Sequence, residues 1–361
     1  MTNPVPNASI LRINAYKQGK SNIEGVKNPI KLSSNESSHG ACEAALSAFR
    51  NTSSSLNRYP DGNQSQLKEA IAQTFQLNED KIMCGNGSEE LIQLAVRAYV
   101  SAGDEALLSE NGFIMSNIHC LAQGAELVIA PEKNYKVDVD ALLACVTDKT
   151  KFCTIANPNN PTGTYISDDE IRRLHAGLPK DCLFLIDNAY SEYVDKEDFS
   201  DGSALVEEFD NVVMTRTFSK IYGLSALRIG WMYSSQAIHD LIQRIRTPFN
   251  ANSPAMAAAT AAVKQTDYVT DIKQHNIKSL QYISGKLQQL GIEVVPSVTN
   301  FYLLNFKNVQ GKTASEAGLF MQTKGIIPRP AGNNDDFLRI TVGFENENQS
   351  VVDALTEYMN Q

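Results

Sequence analysis

Short apolar runs alternate with helical segments between about residues 40 and 250, and this alternation constrains the fold more than any other feature of the sequence. The runs lack polar alternation, which is typical of parallel strands covered on both faces. Because helix signals lie between the runs, the pattern predicts an α/β domain with a mainly parallel sheet. The runs begin at Ala106, Leu127, Phe152, Leu183 and Val212.

Regions on either side of this alternation predict two further parts of the chain. Residues 1–35 are polar and contain scattered prolines and glycines, which is typical of an extended arm. Residues 36–250 would form the large domain. A long helical segment and three strand-like runs follow, so residues 251–361 are expected to form a smaller α+β domain.

Capping patterns predict where two helices begin. Ser167 and Glu170 have the spacing of a capping box. Asn86 and Glu89 have the same spacing, just at the start of a helix expected from Ser88 to Tyr99.

Composition excludes several classes of function. The 361 residues carry a net charge of −9, which argues against a protein that mainly binds nucleic acid. No apolar stretch approaches the roughly 20 residues that span a bilayer, and the N-terminus lacks the features of a secretory signal. The six cysteines form no C-x-x-C pair, so we expect free thiols, no metal site and a cytoplasmic location.

Two charged residues follow predicted strands, at positions where open α/β sheets bind ligands. Lys220 closes the motif Thr217-Phe-Ser-Lys, and a desolvated lysine of lowered pKa forms Schiff bases with carbonyl groups. Asp187 ends the run from Leu183, and a carboxylate there can keep a pyridinium nitrogen protonated. Tyr190 lies three residues further on. Taken alone, Lys220 is better explained as an exposed loop lysine, and Asp187 is also explained as a helix N-cap.

Two loops supply uncharged groups. Asn157-Pro-Asn-Asn-Pro-Thr-Gly163 predicts a rigid turn in which Asn160 presents its amide to a ligand, although a plain turn also explains it. Gly85-Asn-Gly-Ser-Glu89 places glycines before a helix, where backbone N–H groups suit a phosphate. Together with Lys220 and Asp187, these loops predict a phosphate cradle, an amide, a carboxylate and a lysine in one domain.

In this order the motifs resemble the fold-type I aminotransferases that use pyridoxal 5′-phosphate (PLP), and more narrowly the histidinol-phosphate aminotransferase family of the class II subfamily. The resemblance runs from about Ile10 to the end of the chain. Its narrower part depends on Tyr59-Pro-Asp, on the arm around Tyr16, and on the motifs that begin at Leu32 and Leu338. It implies a large PLP-binding domain with a mainly parallel seven-stranded sheet flanked by helices, a smaller α+β domain and an N-terminal arm.

The resemblance also implies roles for individual residues. Lys220 would form the Schiff base with PLP and shuttle a proton, Asp187 would pair with the pyridine nitrogen, and Tyr190 would hydrogen-bond the phenolic oxygen. Tyr59 would reach the cofactor phosphate from a partner subunit, which implies a homodimer with a shared site. The remaining cofactor contacts would come from Gly87, Ser88, Glu89, Phe113, Asn160, Thr217, Ser219 and Arg228. The substrate contacts would come from Tyr16, Asn35, Asn160, Arg329 and Arg339.

The implied reaction converts L-histidinol phosphate and 2-oxoglutarate to imidazole acetol phosphate and L-glutamate, in histidine biosynthesis. Two departures from the family pattern concern the substrate side: Asn35-Glu-Ser-Ser-His39 replaces Asn-Glu-Asn-Pro, and the segment from Arg329 to Arg339 is short. Three alternatives therefore stay open: an aromatic amino-acid aminotransferase, a threonine-phosphate decarboxylase, and a non-catalytic binding domain. The last of these would be expected to have lost Lys220 or Asp187.

Overall fold

The computed structural model describes residues 4–332 and 335–361. The first three residues of the predicted arm, and Asn333 and Asn334 between the two predicted substrate arginines, lie outside the described residues. The strands are β1 Ile30–Lys31, β2 Ile82–Gly85, β3 Glu105–Ser109, β4 Glu126–Ala130, β5 Thr150–Ala156, β6 Leu183–Asp187, β7 Val212–Thr217, β8 Gly230–Ser234, β9 Glu293–Val295, β10 Phe301–Asn305, β11 Ile326–Ile327, β12 Arg329–Ala331 and β13 Phe337–Thr341. The helices are α1 Glu43–Asn51, α2 Ser65–Phe75, α3 Ser88–Tyr99, α4 Ile114–Ala122, α5 Val139–Ala144, α6 Asp168–Gly177, α7 Ser203–Glu208, α8 Gln236–Gln243, α9 Ser253–Val263, α10 Thr266–Gln289, α11 Ala314–Thr323 and α12 Glu345–Met359.

A seven-stranded sheet with the order β2-β8-β7-β6-β5-β3-β4 forms the centre of the larger part of the chain. Neighbouring strands are parallel except at β8, which is antiparallel to both β2 and β7. The predicted mainly parallel α/β sheet is therefore confirmed. All five apolar runs of the sequence are strands of this sheet, whereas β2 and β8 were not among the runs predicted.

A second, four-stranded antiparallel sheet has the order β12-β13-β10-β9. Its buried residues form a separate apolar core with residues of α10, α11 and α12, including Tyr302, Leu338 and Leu355. The short strand β1 pairs in parallel with β11 in a separate two-stranded sheet. The main-chain N–H of Thr341 in β13 donates to the Leu32 oxygen at 2.9 Å, which joins the chain just after β1 to the smaller sheet. The alanines of α9 instead belong to the core of the large sheet.

The starts of α6 and α3 differ. At α6 the capping box is confirmed, since the Ser167 hydroxyl accepts from the Glu170 amide and the Glu170 carboxylate accepts from the Ser167 amide. At α3 the predicted pairing of Asn86 with Glu89 is wrong. Gly87 is the N-cap residue at φ +84°, and this left-handed turn places the Asn86 amide 2.6 Å from the Glu90 carboxylate instead. No described side chain caps α3, so its first N–H groups can bind an anion.

The first part of the chain contains one short 3-10 turn, Ile10–Arg12, and otherwise lies extended across the body. Arg12 pairs with Glu126 at 2.9 Å, and Arg329 donates to the main-chain oxygen of Lys17 at 2.8 Å. The Ser33 hydroxyl donates to the Lys20 oxygen at 2.9 Å. These contacts bring Tyr16 to the edge of the central cavity described next. Over the described residues, no helix combines the length and apolarity needed to cross a bilayer.

Candidate active site

A cavity of about 220 Å³ lies where the carboxyl ends of β5, β6 and β7 meet the start of α3 and the two arginine-bearing strands of the smaller sheet. The structure brings almost all of the predicted site residues to this cavity. Those that line it are Tyr16, Asn35, Ser88, Glu89, Phe113, Asn160, Asp187, Tyr190, Thr217, Ser219, Lys220, Arg228, Arg329 and Arg339. Gly87 adjoins it, since a Cβ at this glycine would lie 2.6 Å from Nη2 of Arg228.

Lys220 follows β7 and points into the cavity, where its Nζ donates to the main-chain oxygen of Ser34 at 3.2 Å. Burial lowers the pKa of Lys220 to about 8, and the nearby positive charges of Arg339 and Arg228 act in the same direction. More of this amine is therefore unprotonated near neutral pH than in an exposed lysine, and the unprotonated form is the one that attacks a carbonyl group.

Asp187 is the last residue of β6 and is almost completely buried. Burial raises the pKa of Asp187 to about 7, against a hydrogen bond from the Thr215 hydroxyl at 3.1 Å that lowers it. A buried carboxylate in this state is strongly stabilised by a cationic group brought next to it. The geometry suits a protonated ring nitrogen, which would restore the charged form of Asp187.

Donor groups for an anion surround the start of α3. Arg228 lies beside Gly87, and its Nη1 is 3.3 Å from the Ser219 hydroxyl. The Thr217 hydroxyl donates to the same oxygen at 3.0 Å. A guanidinium, two hydroxyls and a free helix N-terminus form a charge-assisted site for a phosphate.

The small glycines at this turn keep the donors accessible. A Cβ at Gly230 would lie 2.4 Å from the Ser88 amide nitrogen, and a Cβ at Gly87 would collide with the Arg228 guanidinium. The close approach of β8 to α3 therefore depends on Gly230, and the position of the Arg228 guanidinium depends on Gly87.

Two arginines from the smaller sheet bound the cavity opposite Lys220. Arg329 and Arg339 are directly paired across β12 and β13. Arg339 donates to the Asn160 side-chain oxygen at 2.6 Å and to the Ser33 oxygen at 2.9 Å, whereas its buried Nε has no partner among the described residues. Two adjacent guanidinium groups with an unused buried donor are typical of a site for an anionic substrate group.

Glu89 is the second carboxylate of the cavity, and α4 supplies its partner. His119 contacts the Glu89 carboxylate through Nε2 at 2.7 Å. This contact fixes Glu89 in the first turn of α3. The sequence assigned Glu89 to the cofactor but gave no signal for His119, which is distant in the chain.

Glu132 joins two loops that carry predicted site residues. Its carboxylate accepts hydrogen bonds from the side chains of Ser109, Asn111 and Asn159 at 2.6, 3.0 and 3.1 Å. Asn111 precedes Phe113, and Asn159 precedes Asn160. Sequence reasoning missed Glu132 because its role arises only where the ends of three strands meet.

Sequence reasoning also missed several lining residues. Ser33 and Ser34 contribute main-chain oxygens that accept from Arg339 and Lys220, a role that no side-chain pattern reveals. Ala156, Pro158 and Ala189 are small or flat residues of the lining, which leave room for a planar ring. The only sequence signal for these three residues was that they lie close in the chain to Asn157, Asn160 and Asp187.

Tyr59 lies away from the cavity. It is 83% exposed and stacks on Phe249, with ring centroids 4.6 Å apart. Within one chain it therefore contacts none of the phosphate donors described above.

Comparison with known proteins decides the family. The sequence profile of aminotransferase class I and II matches residues 27–355. The chain belongs to this family of aminotransferases. It is 46% identical over 357 residues to a histidinol-phosphate aminotransferase of Maricaulis maris, with 98% of each chain covered. It is 47% identical to one of Paramagnetospirillum magneticum, with 99% of each chain covered.

Solved structures of aminotransferases share the fold. A histidinol-phosphate aminotransferase from Sinorhizobium meliloti, crystallised in complex with pyridoxal-5′-phosphate, superposes with a TM-score of 0.84 at 28% identity. The superposition covers 92% of this aminotransferase and 91% of that chain. The cavity of this aminotransferase fits such a cofactor, since its lining includes donors for a phosphate and, separately, the buried carboxylate of Asp187 for a ring nitrogen.

Proposed function

We propose that this aminotransferase exchanges an amino group between L-histidinol phosphate and 2-oxoglutarate, giving imidazole acetol phosphate and L-glutamate, in histidine biosynthesis. The cofactor is PLP. This reaction is supported by relatives named histidinol-phosphate aminotransferase, whose sequences are similar to this one over nearly the whole chain. The observation that carries it is the convergence of Lys220, Asp187 and the paired arginines on one cavity.

The cofactor is held at three points. Arg228, Ser219 and Thr217 bind its phosphate with the α3 amides of Gly87, Ser88 and Glu89. Asp187 would hold the ring nitrogen in its protonated state, and Tyr190 and Asn160 would donate to the ring oxygen. Phe113 would cover one face of the ring. When bound, PLP supplies an electron-withdrawing ring that accepts the electron pair left as the substrate Cα loses its proton.

Lys220 acts twice in this scheme. Its Nζ would attach the cofactor covalently, and the same Nζ, when free, would take the proton from the substrate Cα. Its lowered pKa supports both steps, because an uncharged amine is needed for attack and for proton removal. The buried position of Lys220 keeps the freed amine within reach of the reacting carbon.

Arg339 binds the anionic group of each substrate in turn. A planar guanidinium can donate two parallel hydrogen bonds to either a carboxylate or a phosphate ester, so one arginine can serve both glutamate and histidinol phosphate. Arg329, on the neighbouring strand, adds a second positive charge, and Tyr16 and Asn35 complete the substrate side. The excess of cations over carboxylates along the cavity supports an anionic substrate.

We also infer a homodimer in which Tyr59 reaches the cofactor phosphate of the partner subunit. The exposed aromatic pair of Tyr59 and Phe249 supports this arrangement. A cytoplasmic location is supported by six free cysteines, of which five are buried. The division into an arm, a large domain over residues 36–250 and a small domain over residues 251–361 stays a prediction.

A screen of half-reactions tests the function. Purified protein loaded with PLP is mixed with one amine at a time, and loss of the visible absorption band is followed by stopped flow. We expect histidinol phosphate and glutamate to discharge the band fastest, with phenylalanine and tyrosine slower. Faster discharge by an aromatic amino acid would favour an aromatic aminotransferase, and carbon dioxide release from phosphothreonine would favour a decarboxylase.

A further inference from the structure

Every polar atom of Asn35, in both the main chain and the side chain, forms a hydrogen bond. It is 1% exposed and adopts a left-handed backbone at φ +55°, a conformation that asparagine tolerates better than most residues. Its main-chain N–H donates to the Thr341 hydroxyl at 3.0 Å, and its main-chain oxygen accepts from the Asn300 side chain at 3.0 Å. Its side-chain nitrogen donates to the Tyr190 hydroxyl oxygen at 2.9 Å.

Thr341 determines which end of the Asn35 amide faces Tyr190. The Thr341 hydroxyl accepts from the Asn35 main-chain N–H, so its own proton is free to be donated. It donates that proton to the Asn35 side-chain oxygen at 3.3 Å. With the oxygen occupied in this way, the amide nitrogen is directed at Tyr190.

The direction of the Tyr190 proton follows from that arrangement. Because the hydroxyl oxygen of Tyr190 already accepts a hydrogen bond from Asn35, its proton points elsewhere. Tyr190 lines the cavity, and its hydroxyl donates to no other described residue, so the proton is directed into the cavity. Phe301 packs edge-on against the Tyr190 ring, with the ring centroids 5.1 Å apart. Phe301 and Thr341 are paired across β10 and β13, so one cross-strand pair fixes both the ring and the hydroxyl of Tyr190.

We propose that Thr341 is a positioning residue that orients the Asn35 amide, so that the Tyr190 hydroxyl donates its proton to the cofactor bound in the cavity. The proposal rests on the proposed function, because the acceptor of that proton is the ring oxygen of PLP. It adds two buried residues, Thr341 and Phe301, that are not part of the cavity lining.

The charged and titratable groups that face Tyr190 do not replace this contact. Lys220 Nζ lies 5.6 Å from the centroid of the Tyr190 ring, over its face. Burial raises the pKa of Tyr190 to about 12, while Arg339 and the Asn35 hydrogen bond oppose the rise, and Asp187 and Tyr16 add to it. Tyr190 therefore keeps its proton at neutral pH and acts as a donor.

The test is a pH titration of the visible band of PLP bound to Lys220. A hydrogen bond from Tyr190 stabilises the ionised ring oxygen, so loss of that bond raises the affinity of the cofactor for a proton. In Thr341→Val, the Asn35 amide is free to turn its oxygen toward Tyr190 and capture the proton. We expect the titration midpoint to rise by about half to one pH unit, the size of one hydrogen bond.

Three variants separate this role from packing. Thr341→Ser keeps the hydroxyl and should restore the wild-type midpoint. Asn35→Asp tolerates the left-handed backbone and places an acceptor oxygen where the amide nitrogen was, so it should capture the Tyr190 proton and raise the midpoint even if Thr341→Val fails to fold. Thr150→Val removes a buried hydroxyl at the first residue of β5, whereas the cavity lies at the other end of that strand, so this variant should leave the midpoint unchanged.

Each result decides the proposal. A wild-type midpoint in Thr341→Val or Asn35→Asp would overturn it, and so would an equal shift in Thr341→Ser. In a Tyr190→Phe background, Thr341→Val should add no further shift, and an added shift would also overturn it. If wild-type protein mixed with PLP shows no visible band, the proposed function fails, and this inference fails with it. If the wild-type band titrates but the variants show the same midpoint, only the inference fails.

Discussion

At the residue scale, Lys220 and Asp187 are buried beside the same cavity, yet burial moves their pKa values in opposite directions. The pKa of Lys220 falls to about 8 and that of Asp187 rises to about 7. Both shifts favour the uncharged form, as expected for ionisable groups removed from water. A cofactor with a positive ring nitrogen would reverse this preference at Asp187 while leaving the Lys220 amine reactive.

Replacement of Lys220 tests its double role. In Lys220→Ala, the protein should still bind PLP through the phosphate donors, but no covalent bond can form and no amine is available for the proton. We expect activity to fall by at least about 10⁴-fold. Borohydride reduction followed by mass measurement of the intact chain should add the cofactor mass to wild type alone. Lys264→Ala, at an exposed position after α9, is the matched control and should retain both properties.

Asp187 makes the stability of the cofactor-free protein depend on pH. Between about pH 4 and pH 7, the folded state keeps a proton on Asp187 that the unfolded chain has lost. The folded state therefore binds more protons in this window, so the free energy of unfolding falls as pH rises through it and stays low above pH 7. Asp187→Asn should therefore raise the free energy of unfolding by up to about 4 kcal/mol at pH 8 and should change it little at pH 4.

Urea unfolding of cofactor-free wild type and Asp187→Asn at the two pH values measures that difference. Equal differences at both pH values would contradict the argument. The same substitution should lower transaminase activity, because an amide cannot neutralise a protonated ring nitrogen.

At the scale of elements, the turn from β2 into α3 forms the phosphate site. Gly87 has a left-handed backbone, and a Cβ there would meet the Arg228 guanidinium. Gly87→Ala should therefore displace Arg228 and weaken PLP binding by about 10- to 100-fold, which corresponds to ~1.4–2.8 kcal/mol. The dissociation constant follows from fluorescence titration of cofactor-free protein.

Gly285 supplies the control for that substitution. It lies inside α10, with open space around a Cβ and no left-handed backbone. Gly285→Ala should leave PLP affinity unchanged and stabilise the fold by ~0.5–1 kcal/mol, since alanine is the better helix former. Equal affinities for the Gly87 and Gly285 variants would exclude Gly87 from the phosphate site.

Elements also show where prediction from sequence succeeds. The five apolar runs and the Ser167 capping box depend on local pattern, and the structure confirms them. β8 was missed because a short antiparallel strand inside a parallel sheet has no distinctive period of apolar residues. Asn86 was misassigned because the spacing of residues does not reveal the positive φ at Gly87. Thr341 and Glu132 were invisible for a different reason: their partners are distant in the chain.

At the scale of the whole molecule, the cavity lies between two apolar cores. Lys220 and Asp187 come from the large sheet, and Arg339 comes from the smaller one. Asn35 is linked to both, through Tyr190 on one side and Thr341 on the other. The site therefore depends on how the two cores are held together, which local sequence motifs do not specify.

Tyr59 is one of several exposed apolar side chains in the first part of the large domain. Tyr59 and Phe249 stack at the surface, and Leu46, Phe49 and Leu56 are also exposed on α1 and the turns after it. Such residues are typical of an interface. We expect a homodimer by sedimentation at micromolar concentration, and only monomer would contradict the shared site.

Mixed dimers of two defective variants test whether Tyr59 acts across that interface. Tyr59→Ala should bind PLP weakly, and Lys220→Ala should be inactive at any PLP concentration. If each site combines Lys220 of one subunit with Tyr59 of the other, a mixed dimer has one intact site and one doubly defective site. Half of the dimers in an equal mixture are mixed, so refolding the two together at limiting PLP should restore about a quarter of wild-type activity. A mixture no more active than its Tyr59→Ala component would show that both residues serve the same chain's site.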